Sequence, residues 1–206
     1  TDLSFYSKFN GLLFHDDVFL TDFEGPISGK RDEVSLNQEA ENKSQYLVKL
    51  TKDLENTVSD YSYRGNSKLM SARNIYAQVI MNPKAKQWFA QDYQAFLEHY
   101  DRTAIMAMPY MEAEQAIQPK AAKQWLSDLL VKADVAQNND KLVFELQARN
   151  WKTQQAIPEA ELNQWFDLLR SQGVHHFGYY PDDLAKRQPD LKLIRPQFSA
   201  GSAPRN

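Results

Sequence analysis

Short apolar segments alternate with amphipathic helices along this chain, and this alternation constrains its fold more than any other feature. Five segments have the length and composition of strands: residues 10–15, 75–81, 104–110, 142–147 and 176–180. Between them apolar residues recur at helical spacing, with Pro119 and Pro158 placed to begin helices and Gly173 to end one. Strands that alternate with helices predict an α/β protein with a parallel sheet or barrel.

About five strand–helix units are fewer than the eight of a closed (β/α)8 barrel. Leu3, Phe5 and Phe9 fit the last turns of a helix that leads into the first strand, as if upstream units were missing. We therefore predict one domain, residues 1–206, that forms the C-terminal portion of a TIM-like (β/α) barrel. An open, flavodoxin-like sheet is the alternative. Residues 184–206 combine basic side chains with three prolines, which predicts an extended basic tail.

The composition excludes several classes of function. The 206 residues carry a formal net charge of −3 without a basic field, so nucleic acid is not an expected partner. The chain contains no cysteine, which excludes disulfides, a thiolate nucleophile and cysteine-ligated zinc. No apolar run approaches the roughly 20 residues that span a bilayer, and no Gly-rich phosphate loop is present. A neutral or cationic ligand therefore suits this chain better than an anionic one.

The first predicted strand leads directly into a cluster of acids. The apolar run from Gly11 to Phe14 is followed by a histidine and four carboxylates: His15, Asp16, Asp17, Asp22 and Glu24. Burying so many acids is costly unless they are paired or used. A strand that ends in this way predicts the edge of an active site.

The ends of the later predicted strands carry acids and aromatic residues as well. They are Tyr110, Glu112, Glu145, Gln147, Trp151, Tyr180 and Asp182. In α/β barrels the chemistry lies at the carboxyl ends of the strands, so we expect these side chains on one rim. Aromatic faces pack against the C–H surfaces of sugars, and acids bind hydroxyl and amino groups or donate protons. The combination predicts a carbohydrate cleft.

The tryptophans divide into two groups by position. Trp88, Trp125 and Trp165 lie at apolar positions of predicted helices, so we expect them in the core. Trp151 follows a predicted strand, which suits a platform for a sugar ring.

One segment identifies a resemblance to a known family. Phe-Asn-Gly-Leu-Leu-Phe-His-Asp-Asp at residues 9–17, followed by Leu-Thr-Asp-Phe-Glu at residues 20–24, resembles the C-terminal domain of PgaB/HmsF-type poly-β-1,6-N-acetylglucosamine deacetylases. Met-Pro-Tyr-Met-Glu at residues 108–112 strengthens the resemblance, which extends over nearly the whole chain. It implies a (β/α) barrel that binds the biofilm exopolysaccharide and, in some members, hydrolyses the partly deacetylated polymer as an endo-acting glycosidase.

The same resemblance implies a setting and partners. Family members act in the periplasm, anchored at the outer membrane, and an outer-membrane export porin is the implied protein partner. The metal-dependent deacetylase domain that precedes this region in the family is absent from the chain, so we expect neither deacetylation nor a cofactor here.

Hydrolysis of a β-linked hexosamine requires an acid for the leaving oxygen and a group that stabilises the oxocarbenium-like transition state. Asp16 and Asp17 can divide these tasks, and the sequence leaves open which of them is the acid. Where the sugar keeps its N-acetyl group, that group can serve as the nucleophile while one carboxylate orients it. A purely structural role, in a helix cap or in an ion pair with Arg73, is the plain alternative for the two residues.

Two other functions remain open from the sequence. The chain can be a non-catalytic polysaccharide-binding module that assists deacetylation and export of the polymer. It can also be a metal-dependent sugar isomerase or lyase that uses His15, Asp16 and Asp17 around a divalent cation, although one histidine beside two acids is a weak metal signature.

Overall fold

The computed structural model of the chain describes residues 11–15, 33–61, 69–113 and 115–198. These residues contain seven strands: β1 Gly11–Phe14, β2 Met70–Tyr76, β3 Arg102–Ala107, β4 Leu142–Gln147, β5 Arg149–Asn150, β6 Gln155–Ala156 and β7 Phe177–Tyr180. Five of them form one sheet in the order β1-β2-β3-β4-β7, and β5 pairs with β6 in a small antiparallel ribbon.

Helices follow the strands of the main sheet, as the sequence predicts. Their bounds are α1 Glu33–Tyr61, α2 Ala77–Met81, α3 Lys86–Phe89, α4 Tyr93–His99, α5 Pro109–Glu112, α6 Pro119–Lys132, α7 Val135–Asn138, α8 Glu159–Ser171 and α9 Leu191–Ile194. Within the ranges that the structure describes, no helix has the length and apolarity needed to cross a membrane. The chain divides into two compact units, residues 1–104 and residues 105–206.

The first unit is organised around a buried arginine. β1 and β2 pair in parallel, with Phe14 opposite Arg73. The guanidinium of Arg73 donates to the Tyr100 hydroxyl at 2.9 Å, and its Cζ lies 4.8 Å from the centre of the Phe96 ring. Thr51 of α1 shares a short hydrogen bond with the same Tyr100 hydroxyl. Thr51 thereby links helix α1 to Tyr100 and, through the Tyr100 hydroxyl, to Arg73 of β2.

The second unit has a sheet with two different faces. β4 and β7 pair in parallel, with Phe144 opposite Phe177 and Leu146 opposite Tyr179. Phe166 of α8 contacts both Phe177 and Tyr179, at ring distances of 5.5 and 6.4 Å. Because side chains alternate along a strand, one face of β4 and β7 packs on α8 and the other face points away from this helix.

Three elements of this unit, β4, α6 and α8, have bounds equal or close to the predicted ones. β4 has the predicted bounds, and α6 begins at Pro119 as expected. Helix α8 follows Pro158 and ends two residues before Gly173, whose φ of 81° is a left-handed conformation that favours glycine. Proline at the start and glycine after the end thus define these helices.

Two predicted strand bounds are wrong. The second strand begins at Met70 and ends at Tyr76, and residues 77–81 form helix α2 instead. The first half of this strand has no apolar pattern, because Ser71, Arg73 and Asn74 are polar residues that are nevertheless buried. The third strand ends at Ala107, so the predicted strand residues 109 and 110 are the start of helix α5.

Helix α1 is longer than the apolar spacing predicts, since it begins at Glu33 rather than near Leu47. Its first half is stabilised by side-chain pairs four residues apart, such as Gln45 with Glu41 at 2.9 Å and Lys43 with Glu39 at 3.2 Å. Ala40 and Ser44 are the buried residues among residues 33–46, and such small side chains give the sequence pattern no apolar stripe to detect.

The described part of the predicted tail, residues 184–198, differs from an extended segment. It contains α9 and lies along one side of α8, because Glu159, Asn163, Asp167 and Arg170 of that helix all bond to it. Ile194 is buried, and Phe198 packs against Phe166 and two aromatic residues of β7. Residues 199–206 lie outside the described residues.

The three helical tryptophans do not share one environment. Trp165 is fully buried, as predicted. Trp88 is 56% exposed, so its prediction as a core residue is wrong. Trp125 is half-buried and lines an open groove along α6.

Candidate functional site

We call the face of β4 and β7 that points away from α8 the open face, because Tyr180 is exposed and Glu145 partly exposed on it, although Gln147 at the end of β4 is buried. Glu145 lies opposite Gly178, and Gln147 lies opposite Tyr180. These four positions alternate with those that pack on α8, so they share the other face. The sequence placed Glu145, Gln147 and Tyr180 at one site, and the pairing register brings them onto adjacent strands.

Gln147 ends β4 and is completely buried. Its Oε1 accepts hydrogen bonds from the backbone N–H groups of Tyr110 at 2.8 Å and Met111 at 3.3 Å. Its Nε2 donates to the carbonyl oxygen of Arg149 at 2.7 Å. Both ends of the amide therefore hold backbone in place, which makes Gln147 a positioning residue for the start of α5.

Tyr110 is held at both its backbone and its side chain. Its hydroxyl donates a short hydrogen bond to Glu161 of α8, and its ring lies 5.9 Å from that of Trp165. Burial raises the pKa of the Tyr110 hydroxyl, and the hydrogen bond to the Glu161 carboxylate and its charge raise it further. The side chain is a fixed, neutral group over the whole physiological range.

Trp151 and Tyr180 form an aromatic pair at the end of the sheet. Their ring centres are 5.8 Å apart and their planes are tilted by 33°. Tyr180 is 59% exposed and Trp151 is half-buried, so both rings present surface to a ligand. Two adjacent aromatic faces at the end of a β strand provide the kind of platform on which sugar rings stack.

The loop after Tyr180 brings charges beside this pair. Asp183 forms ion pairs with Lys186 at 3.3 Å and with Arg149 at 3.7 Å. The pKa of Asp183 is lowered, first by the backbone N–H of Lys186 and then by these cations. Its neighbour Asp182 is exposed, and burial together with the Asp182 charge raises the pKa of Tyr179.

The remaining predicted site residues fall into three groups. Glu112 is buried at the end of α5, and Glu145 is partly exposed on the open face. His15 follows β1 in the first unit and is exposed. Asp16, Asp17, Asp22 and Glu24 lie outside the described residues, so the predicted catalytic pair and the metal alternative both stay predictions.

Sequence reasoning missed two residues at this site. Glu161 reads as an ordinary acid in the first turn of a helix, and no sequence signal links it to Tyr110, 51 positions away. Gly178 carries a usable signal, because glycine inside a strand often marks the close approach of a ligand or of another backbone.

The fold and the site define a class: an α/β protein with parallel strands followed by helices, and with acids and an aromatic pair at the strand ends. Comparison with known families agrees. A sequence model of hypothetical glycosyl hydrolase family 13 matches residues 1–180. The chain belongs to this family.

Curated relatives and a solved structure are similar to most or all of the chain. Poly-β-1,6-N-acetyl-D-glucosamine N-deacetylases from Escherichia coli K12 and from Escherichia coli O157:H7 are each 39% identical over 226 aligned residues, which cover 100% of this chain. The chain spans 33% of the length of each relative. The PgaB (BpsB) glycoside hydrolase domain from Bordetella bronchiseptica has a TM-score of 0.76 and 33% identity, over 93% of this chain and 57% of that one.

These likenesses confirm two predictions. The chain resembles the C-terminal domain of PgaB-type proteins, as its His-Asp-Asp segment indicated. Its fold is a portion of a TIM-like (β/α) barrel, with a five-stranded sheet and the helices that follow the strands.

Proposed function

We propose that this chain binds partly de-N-acetylated poly-β-1,6-N-acetylglucosamine and hydrolyses it as an endo-acting glycosidase. The observation that carries the proposal is the aromatic pair Trp151–Tyr180, 5.8 Å apart, at the end of the sheet in a member of a glycosyl hydrolase family. The curated relatives are named for the N-acetylated form of this polymer. An aromatic platform beside carboxylates suits a polymer that carries both apolar ring faces and free amino groups.

Asp16 and Asp17 are the proposed catalytic residues. Of the two, one protonates the oxygen of the leaving sugar, and the other stabilises the positive charge that develops at the anomeric carbon. In the substrate-assisted variant, an N-acetyl group of the polymer attacks that carbon while the second carboxylate orients it. His15, Asp22, Glu24, Glu112, Glu145 and Asp182 are proposed to bind the sugar hydroxyl and amino groups.

A non-catalytic binding module is the second candidate. The aromatic pair supports binding as well as cleavage, because a platform can hold the polymer whether or not a bond is broken on it. In this case the chain assists deacetylation and export of the polymer, and Asp16 and Asp17 contribute only to affinity.

Product analysis separates the two candidates. The chain is incubated with partly deacetylated poly-β-1,6-N-acetylglucosamine, and soluble products are measured by mass spectrometry beside the variants Asp16→Asn and Asp17→Asn. Asp140→Asn is a matched control, because Asp140 is 93% exposed and far along the chain from the acidic segment. Binding of the same polymer is measured for all four proteins.

We expect oligosaccharides of several lengths from the parent chain and from Asp140→Asn, and none from at least one of the other two variants. A single product released from one chain end would contradict endo-cleavage. Binding by the parent chain without any product would favour the binding module. If the parent chain neither binds the polymer nor releases products, both candidates are refuted.

The periplasmic location, the association with the outer membrane and the export porin as partner remain predictions that follow from the family resemblance.

A further inference from the structure

Gly178 occupies a position in β7 where the described part of the structure gives no reason for a glycine. Gly178 is an interior residue of this strand, and its φ lies outside the left-handed region. Glycine in the middle of a strand is destabilising relative to alanine. An ordinary side chain would therefore stabilise the strand, unless the space above Gly178 is needed.

That space is open. A Cβ atom built on Gly178 meets no atom within 4 Å among the described residues. Gly11 of β1 provides the contrast, because a Cβ there would lie 2.6 Å from the backbone oxygen of Met70. Close approach of backbone explains Gly11, whereas it does not explain Gly178.

The open space adjoins the aromatic pair. Gly178 shares the open face with Glu145, its partner on β4, and with Tyr180, two residues further along the same strand. Residues two apart on a strand are separated by about 7 Å, roughly the width of one sugar ring. The missing side chain thus leaves open space, which we call the recess, two residues from Tyr180 of the Trp151–Tyr180 platform.

We infer that Gly178 determines specificity by leaving room for one sugar unit of the polymer at the foot of the platform. This inference rests on the proposed function. A sugar in the recess contacts the β7 backbone at Gly178 on one side and the Tyr180 ring at the end of the strand. A side chain at residue 178 would occupy the same volume, so polymer affinity should fall as the side chain grows.

The test compares stability and binding in the same variants. Gly178→Ala and Gly178→Val are made in the full chain, with thermal unfolding and binding of partly deacetylated poly-β-1,6-N-acetylglucosamine measured for each. β-branched residues favour strands, so we expect the unfolding temperature to stay the same or rise. We expect affinity to fall slightly for Gly178→Ala and by about tenfold or more for Gly178→Val, which corresponds to at least about 1.4 kcal/mol.

Gly173→Ala is the matched control. This position is also open, with no atom within 4 Å of an added Cβ among the described residues, but its φ of 81° strains any other residue. Its replacement should lower stability and leave the affinity of the folded protein unchanged, the reverse of the pattern at residue 178.

Three outcomes would overturn the inference. If Gly178→Val binds the polymer as tightly as the parent chain, the recess holds no sugar. If Gly178→Val unfolds at a clearly lower temperature, the space is filled within the folded protein and the glycine is structural. If the parent chain does not bind the polymer, the proposed function fails and the inference with it, so the parent control distinguishes the two failures.

Discussion

The side-chain oxygen of Gln147 accepts the backbone N–H of Tyr110 at 2.8 Å, and this bond joins the end of β4 to the start of α5. The residues are 37 positions apart in the chain. The amide nitrogen of Gln147 holds the Arg149 carbonyl in the same way, at 2.7 Å. One buried side chain therefore holds the backbone at the start of both α5 and β5.

Replacing Gln147 by leucine should destabilise the chain. The leucine side chain has a similar volume, but the N–H of Tyr110 loses its acceptor in a buried place and the carbonyl of Arg149 loses its donor in a partly buried one. Each unsatisfied group costs about 1–3 kcal/mol. Urea unfolding measures the loss, with Gln124→Leu as control because Gln124 lies on the exposed side of α6. Equal stability of the two variants would show that the Gln147 bonds contribute nothing.

The Tyr110–Glu161 bond predicts a dependence on alkaline pH. The folded state raises the pKa of Tyr110 above its unfolded value of about 10, so the contribution to stability is complete below pH 10 and is lost as pH rises through the folded pKa. Tyr110→Phe removes this group. The gap in unfolding free energy between parent and variant should therefore narrow above about pH 10. A gap that stays constant from pH 8 to pH 11 would contradict the prediction.

Replacing either ring of the aromatic pair should weaken polymer binding without loss of fold. Trp151→Ala and Tyr180→Ala should each lower the affinity for partly deacetylated polymer by about tenfold, or about 1.4 kcal/mol, because each removes a stacking surface. Trp88→Ala is the control, since Trp88 is 56% exposed on α3 in the other unit. Isothermal titration provides the measurement. A loss of the same size in the control would indicate a nonspecific effect of tryptophan removal.

The buried network of the first unit predicts a stability effect that is separate from the site. Tyr100→Phe removes one acceptor of Arg73 Nη1 and one partner of the Thr51 hydroxyl, which also bonds to the carbonyl oxygens of Leu47 and Val48. The free energy of unfolding should fall by about 1–3 kcal/mol, because both groups are buried. Tyr46→Phe on the same helix as Thr51 should have almost no effect, since Tyr46 is 67% exposed. Guanidinium unfolding of both variants checks the difference.

Much of the second unit could be predicted because individual residues mark where its helices begin and end. Pro119, Pro158 and Gly173 each have a local conformational reason that acts within a few residues. β4 consists of an apolar run between turn residues, which the pattern detects directly. The first half of β2 could not be found in this way, because Arg73 and Asn74 are residue types of the surface and are nevertheless fully buried, Arg73 against the distant Tyr100.

The sequence predicts which residues stand at the strand ends, and not what each of them does there. Strand ends rich in acids and aromatic residues pointed to Tyr110, Trp151 and Tyr180. The division between residues that present surface and residues that hold backbone depends on contacts across many positions, as between Gln147 and Tyr110. Local sequence carries no record of such contacts.

The parallel register of β4 and β7 has a consequence for how this family can vary. A one-residue shift in the register of β7 against β4 would move Phe177 and Tyr179 from the packed face to the open face, and would turn Gly178 and Tyr180 toward Phe166. Such a shift would remove both the packing of β7 on Phe166 and the recess at Gly178. Evolution can therefore reshape this part of the protein by exchanging side chains, while changes of length are confined to the loops on either side of the strand.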